Sequence, residues 1–102
     1  MSGKRITVVT GGASGIGEAT ALKLAAVGDK VFVADVNRQA AEGVASRISA
    51  AGGEALAETL DVSDDAAIDE VFARIAKDHG AVDVLVNSAG LVQNAETVIN
   101  MD

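Results

Sequence analysis

The chain has 102 residues, enough for one small domain, and 49% of them are apolar, which supports an aliphatic globular core and argues against disorder. A formal net charge of −7, with no Lys/Arg cluster, argues against a nucleic-acid or anionic-membrane partner. The absence of cysteine excludes disulfides and thiolate metal sites and suits a reducing compartment, so a cytoplasmic location is expected. No apolar run reaches membrane-spanning length, and Met1-Ser2-Gly3-Lys4-Arg5 leads straight into a strand, leaving no room for a signal peptide.

Ile6-Thr7-Val8-Val9 is a β-branched run of the kind found in strands covered on both faces. The stretch Thr10-Gly11-Gly12-Ala13-Ser14-Gly15-Ile16-Gly17 follows. A helix then starts near Gly15, with Ile16, Ala19, Leu22 and Ala26 on one face and Gly28 as its stop. Lys30 to Ala34 reads as a second strand, ending in Asp35. Asn37 can cap a helix whose apolar stripe is Ala41, Val44, Ala45 and Ile48, and Gly52-Gly53 ends it.

Glu54 to Leu60 reads as a weaker third strand, running into Asp61-Val62. Ser63 is the expected N-cap of a third helix, with Asp64 and Asp65 in its first turn. Ile68, Val71, Phe72 and Ile75 form its stripe, and Gly80 closes it. Val82 to Val86 is the fourth strand, leading into Asn87-Ser88-Ala89-Gly90. Residues 91–102 carry no clear period. The order β-α-β-α-β-α-β with short turns implies a single α/β domain with a parallel sheet and right-handed crossovers.

A strand that stops in glycines and restarts as a helix points several backbone N–H groups, and the positive end of the helix dipole, at one spot. Such a spot suits a phosphate. In the first βα turn of a βαβ unit it is where a dinucleotide fingerprint belongs. Asp35 can accept hydrogen bonds from both hydroxyls of an adenosine ribose and would repel a 2′-phosphate, which favours NAD over NADP; it can also be a helix-capping residue. Arg38 is the counter-argument, because a nearby arginine can accept a 2′-phosphate, although it also suits a solvated first helical turn. Asp61 can bond an adenine amino group or serve as a turn residue before Ser63. Small residues at 87–90 allow backbone to lie against a nucleotide or simply form a loop. His79, the only histidine, sits at a helix C-terminus and is assigned to the surface. The acidic run Asp64, Asp65, Asp69 and Glu70 reads as a solvated helix face. No nucleophile–base pair and no metal site can be assembled.

Taken together, Thr10-Gly11-x-x-x-Gly15-x-Gly17, Asp35, Asp61-Val62 and Asn87-x-Ala89-Gly90 resemble the short-chain dehydrogenase/reductase family over residues 4–90. The resemblance implies a Rossmann-like, truncated doubly wound fold, with strand order 3-2-1-4 and helices on both faces. It implies that Gly11, Ser14, Gly15, Ile16 and Gly17 line the pyrophosphate and lead toward the nicotinamide. Asp35 would hold the adenosine ribose, and Asp61 and Val62 would address adenine. Asn87, Ala89 and Gly90 would pass along the cofactor, with Asn87 also bracing the central strand. Ser88 stands where the family often has a second asparagine.

The family's reaction is hydride transfer between the nicotinamide and an alcohol or carbonyl carbon. Its proton donor is a tyrosine, assisted by a lysine and a serine. This chain contains no tyrosine, and residues 91–102 do not resemble the family's next helix. The expectation is therefore the NAD-binding half of an oxidoreductase, with catalytic residues beyond Asp102 and no activity of its own. A non-catalytic NAD-binding module and a fragment that associates through a strand edge are the alternatives. Family members are often tetramers, so a homo-oligomer is expected. With four strands, the outer edge of the apolar fourth strand would be unpaired and open to association with another chain.

Overall fold

The computed structural model describes residues 4–11, 13, 15–87 and, for the backbone, 97–100. The elements run β1 (Ile6–Thr10), α1 (Gly15–Ala26), β2 (Lys30–Asp35), α2 (Arg38–Ala50), β3 (Glu54–Thr59), α3 (Asp65–Asp78), β4 (Val84–Asn87) and β5 (Thr97–Asn100). All strand pairings are parallel, in the order β3-β2-β1-β4-β5. The chain builds outward from β1 to β3 and then returns to place β4 on the other side of β1. The strand order therefore reverses between β1 and β4 (a topological switch point), where open α/β sheets form a ligand crevice at the carboxyl ends of the strands.

Side chains alternate across the sheet with the period of two that a strand imposes. Val9, Val31, Val33, Val84 and Val86 face α1 and α2, where they meet Ala21, Ala25, Ala41, Val44 and Ile48. Ile6, Val8, Phe32, Ala34 and Leu85 face α3, where they meet Ile68, Val71 and Ile75. Helices thus cover both faces, with the first two on one side and the third on the other.

The α2 stripe is buried as its spacing predicts. Asn37 caps that helix, its side-chain oxygen accepting the Ala40 N–H at 3.0 Å. Four expectations need correction. In α1 the buried residues are Gly17, Ala21 and Ala25, while Ile16, Ala19 and Ala26 are exposed and Leu22 is half-buried. That helix carries small and apolar residues around most of its circumference, so spacing alone does not select a face. The smallest side chains win because they let the helix lie close on the sheet.

In α3 the cap is Asp64, not Ser63: the Asp64 carboxylate accepts the Ala67 N–H at 3.1 Å. Ser63 instead closes a turn on Asp61. β4 begins at Val84 rather than Val82, because Asp83 bonds across to Ile6 before the ladder starts; its carboxylate accepts the Ile6 N–H at 2.8 Å and its own N–H donates to Ile6 O at 2.8 Å.

The fourth correction concerns the sheet edge. The outer side of β4 is not unpaired: Val84 to Asn87 pair in parallel register with Thr97 to Asn100. The apolar edge on which association was expected is occupied by the chain's own fifth strand.

Candidate functional site

Four strand ends converge at one end of the sheet: Thr10 of β1, Asp35 of β2, the Leu60-Asp61 segment that follows β3, and Asn87 of β4. Gly11 leaves β1 with φ 65° and Gly15 opens α1 with φ 54°. Both lie in the left-handed region that glycine adopts without penalty, which is why the turn needs them. At Gly15 a Cβ would meet no atom of the described residues within 4 Å, so it is the backbone conformation and not crowding that calls for glycine there.

The Asp35 carboxylate ties two connections together. Its Oδ2 accepts the Ala13 N–H at 3.2 Å and its Oδ1 accepts the Asn37 N–H at 3.0 Å. Beside it lies a pocket of about 140 Å³ lined by Gly11, Asp35, Val36, Leu60, Asp61 and Val62. Its walls are apolar at Val36, Leu60 and Val62 and carry two carboxylates, Asp35 and Asp61. Arg38 is turned to other partners: its Nε donates to Glu42 Oε2 at 3.0 Å, and a second nitrogen lies 3.3 Å from Thr59 Oγ1.

Asp61 is exposed and accepts two bonds at Oδ1, from the Ser63 hydroxyl at 2.7 Å and the Ser63 N–H at 2.9 Å. The hydroxyl first, and then the N–H, hold its carboxyl below the usual carboxylate range. Asn87 is buried, and its Oδ1 lies 3.1 Å from the Thr10 hydroxyl, which is also 3.3 Å from Val86 O.

The structure thus brings Gly11, Asp35, Asp61 and Val62 around one pocket. Gly15, Ile16 and Gly17 form the first turn of α1, where Gly17 is buried and Ile16 is 53% exposed. Asn87 stands on the neighbouring strand end, turned toward Thr10. Ser14, Ala89 and Gly90 lie outside the described residues.

Sequence reasoning missed Val36 and Leu60 as pocket walls. Val36 had a usable signal in the sequence, a large apolar residue directly after a strand-ending aspartate, and in the structure it is 65% exposed. It also missed a polar cluster at the opposite end of the sheet. There Asp29 is buried, with the Arg5 Nε 3.1 Å from both carboxylate oxygens and the Thr7 hydroxyl donating at 2.8 Å. Nearby, Lys30 Nζ lies 3.0 Å from His79 Nδ1 and 3.3 Å from Glu54. This cluster lies away from the crevice. No helix among the described residues is long and apolar enough to cross a membrane.

A parallel sheet with a switch point between β1 and β4, a glycine turn opening α1 and an aspartate ending β2 define a Rossmann-like, doubly wound α/β protein. The chain belongs to the short-chain dehydrogenase family, whose model matches residues 5–102. It is 45% identical over 89 residues to 2,3-dihydro-2,3-dihydroxybenzoate dehydrogenase of Bacillus subtilis (strain 168), covering 87% of this chain and 34% of that protein. It is 41% identical over 92 residues to the 2,5-dichloro-2,5-cyclohexadiene-1,4-diol dehydrogenase of Sphingobium indicum, covering 90% of this chain and 36% of that one. The crystal structure of a hydroxysteroid dehydrogenase from Escherichia coli matches with a TM-score of 0.78 at 32% identity, over 81% of this chain and 35% of that one. The chain therefore spans about a third of the length of these relatives.

Proposed function

We propose that the chain is the NAD-binding part of an oxidoreductase that moves hydride between a nicotinamide cofactor and an alcohol or carbonyl carbon. The observation that carries this reading is the Asp35 carboxylate, set at the end of β2 beside the pocket formed by Gly11, Val36, Leu60, Asp61 and Val62. Asp35 takes the hydroxyls of the adenosine ribose. Val36, Leu60 and Val62 provide an apolar seat for the adenine, and the Asp61 carboxylate meets its amino group. The pyrophosphate is assigned to the N-terminus of α1, with Gly11, Gly15, Ile16 and Gly17 beside it and Ser14 added by the family resemblance. Asn87, at the end of β4, is assigned to the same cofactor, and the family resemblance adds Ala89 and Gly90 to it.

NAD is favoured over NADP on two grounds. A 2′-phosphate would stand against the Asp35 carboxylate, and Arg38, the nearby cation, is engaged by Glu42 and Thr59. When bound, the cofactor supplies the hydride acceptor or donor. The chain's residues bind and orient it and exclude water from one of its faces. The sequence holds no tyrosine, so the family's proton donor is not among these residues and the 102 residues alone are inactive. The same observation favours a second reading, a non-catalytic NAD-binding module.

We further assign residues 1–102 to one partial dinucleotide-binding domain. Self-association into a homo-oligomer is expected from the family. A cytoplasmic setting agrees with the absence of cysteine. The enzyme reading is tested with the full-length protein and a panel of secondary alcohols, with NADH absorbance as the readout. NADH formation with at least one alcohol is the expected result. No formation with any of them, by protein that binds NAD, supports the non-catalytic module instead.

A further inference from the structure

We propose that Asp35 is also a positioning residue for the glycine-rich loop, so that one carboxylate couples ribose recognition to the geometry of the phosphate site. The proposal rests on the cofactor reading above and deepens it. Ala13 stands inside the loop between the two positive-φ glycines, Gly11 and Gly15. Its N–H donates to Asp35 Oδ2, a residue 22 positions away in the next βα connection. Oδ1 holds the Asn37 N–H at the start of α2. The carboxylate thus anchors the middle of the first connection to the second.

Two features make this more than incidental packing. A carboxylate offers about four lone-pair sites. Two are used by Ala13 and Asn37, which leaves two for a ribose diol, so all four bonds can exist at once. A carboxamide has one acceptor oxygen and cannot do this. In addition, glycine-rich backbone loses more freedom on ordering than any other. An anchor at its midpoint lowers the ordering that ligand binding must otherwise offset.

The sign of one effect separates this role from simple ribose recognition. Inorganic pyrophosphate carries no ribose. If Asp35 only accepts ribose hydroxyls, removing its negative charge leaves pyrophosphate binding unchanged or strengthens it. If Asp35 anchors the loop, its removal weakens pyrophosphate binding despite the favourable charge change.

The experiment compares the full-length protein with its Asp35→Ala and Asp35→Asn variants. Hydrogen exchange over residues 10–17 is measured without ligand, and inorganic pyrophosphate and NAD are titrated by calorimetry. The expected result for Asp35→Ala is faster exchange in that segment and pyrophosphate binding weaker by about fivefold, the scale of one hydrogen bond. Asp35→Asn, nearly isosteric and with one acceptor left, falls between and serves if the alanine variant does not fold. Unchanged exchange, or pyrophosphate binding that is unchanged or tighter, overturns the proposal. If the unmodified protein takes up neither NAD nor pyrophosphate, the cofactor reading fails, while the ligand-free exchange comparison still decides whether Asp35 anchors the loop.

Discussion

The Thr10 hydroxyl and the Asn87 side-chain oxygen lie 3.1 Å apart and join the carboxyl ends of β1 and β4 at the point where the strand order reverses. Both residues are buried. The contact adds a side-chain link to the parallel backbone ladder in which the same two residues pair. A buried hydrogen bond of this kind contributes about 1 kcal/mol.

Replacing the hydroxyl while keeping the shape tests that relationship. Thr10→Val removes a donor to Asn87 and leaves β-branching intact. The expected loss is about 1 kcal/mol of stability, read from the urea midpoint. An unchanged midpoint would show that the contact contributes nothing.

At the other end of the sheet, the Arg5–Asp29 pair is asymmetric. The Asp29 side chain is 6% exposed and that of Arg5 is 51% exposed. Asp29→Ala lets Arg5 turn to water and removes the acceptor of the buried Thr7 hydroxyl, whereas Arg5→Ala leaves a buried charge held only by that hydroxyl among the described residues. Removing the arginine is therefore expected to be the more destabilising change, by about 1 kcal/mol or more. Thermal unfolding of the two variants checks the order, and equal or reversed losses contradict it.

Two neighbouring residues, Ser63 and Asp64, divide between them tasks that either could do. Asp64→Ala is expected to destabilise α3 by about 1 kcal/mol through loss of its cap. Ser63→Ala should leave the cap intact and instead raise the Asp61 carboxyl toward its ordinary range, because the hydroxyl and then the N–H of Ser63 hold it down. A carboxylate whose folded pKa is depressed adds stability that is present above the unfolded value, about pH 4, and disappears as pH falls through the folded one. Carbon-13 titration of the Asp61 carboxyl in the two proteins reads this directly. A curve that does not move on loss of the Ser63 hydroxyl would contradict the assignment.

Much of this molecule was legible because its polar residues break the apolar pattern. In α2, Arg38, Glu42 and Arg47 separate the buried positions, so Ala41, Val44, Ala45 and Ile48 stand out at helical spacing and are buried. In α1 no such contrast exists, and the inward face fell on Gly17, Ala21 and Ala25 instead. Ser63 and Asp64 are both good caps, so composition could not choose between them.

β5 is four residues long and follows a stretch without a period, which gives periodicity nothing to detect. The strand ends that carry Gly11, Asp35, Asp61 and Asn87 were readable from the alternation of strand and helix. The bond from Ala13 to Asp35 was not, because no pattern links a backbone N–H in one connection to a carboxylate in the next.

Whether these residues bind NAD is read from calorimetric titration of the protein with NAD and with NADP. Saturable uptake of NAD is expected, with NADP weaker by about tenfold or more because the Asp35 carboxylate meets the 2′-phosphate. No uptake of NAD at millimolar ligand, or tighter binding of NADP, would contradict it.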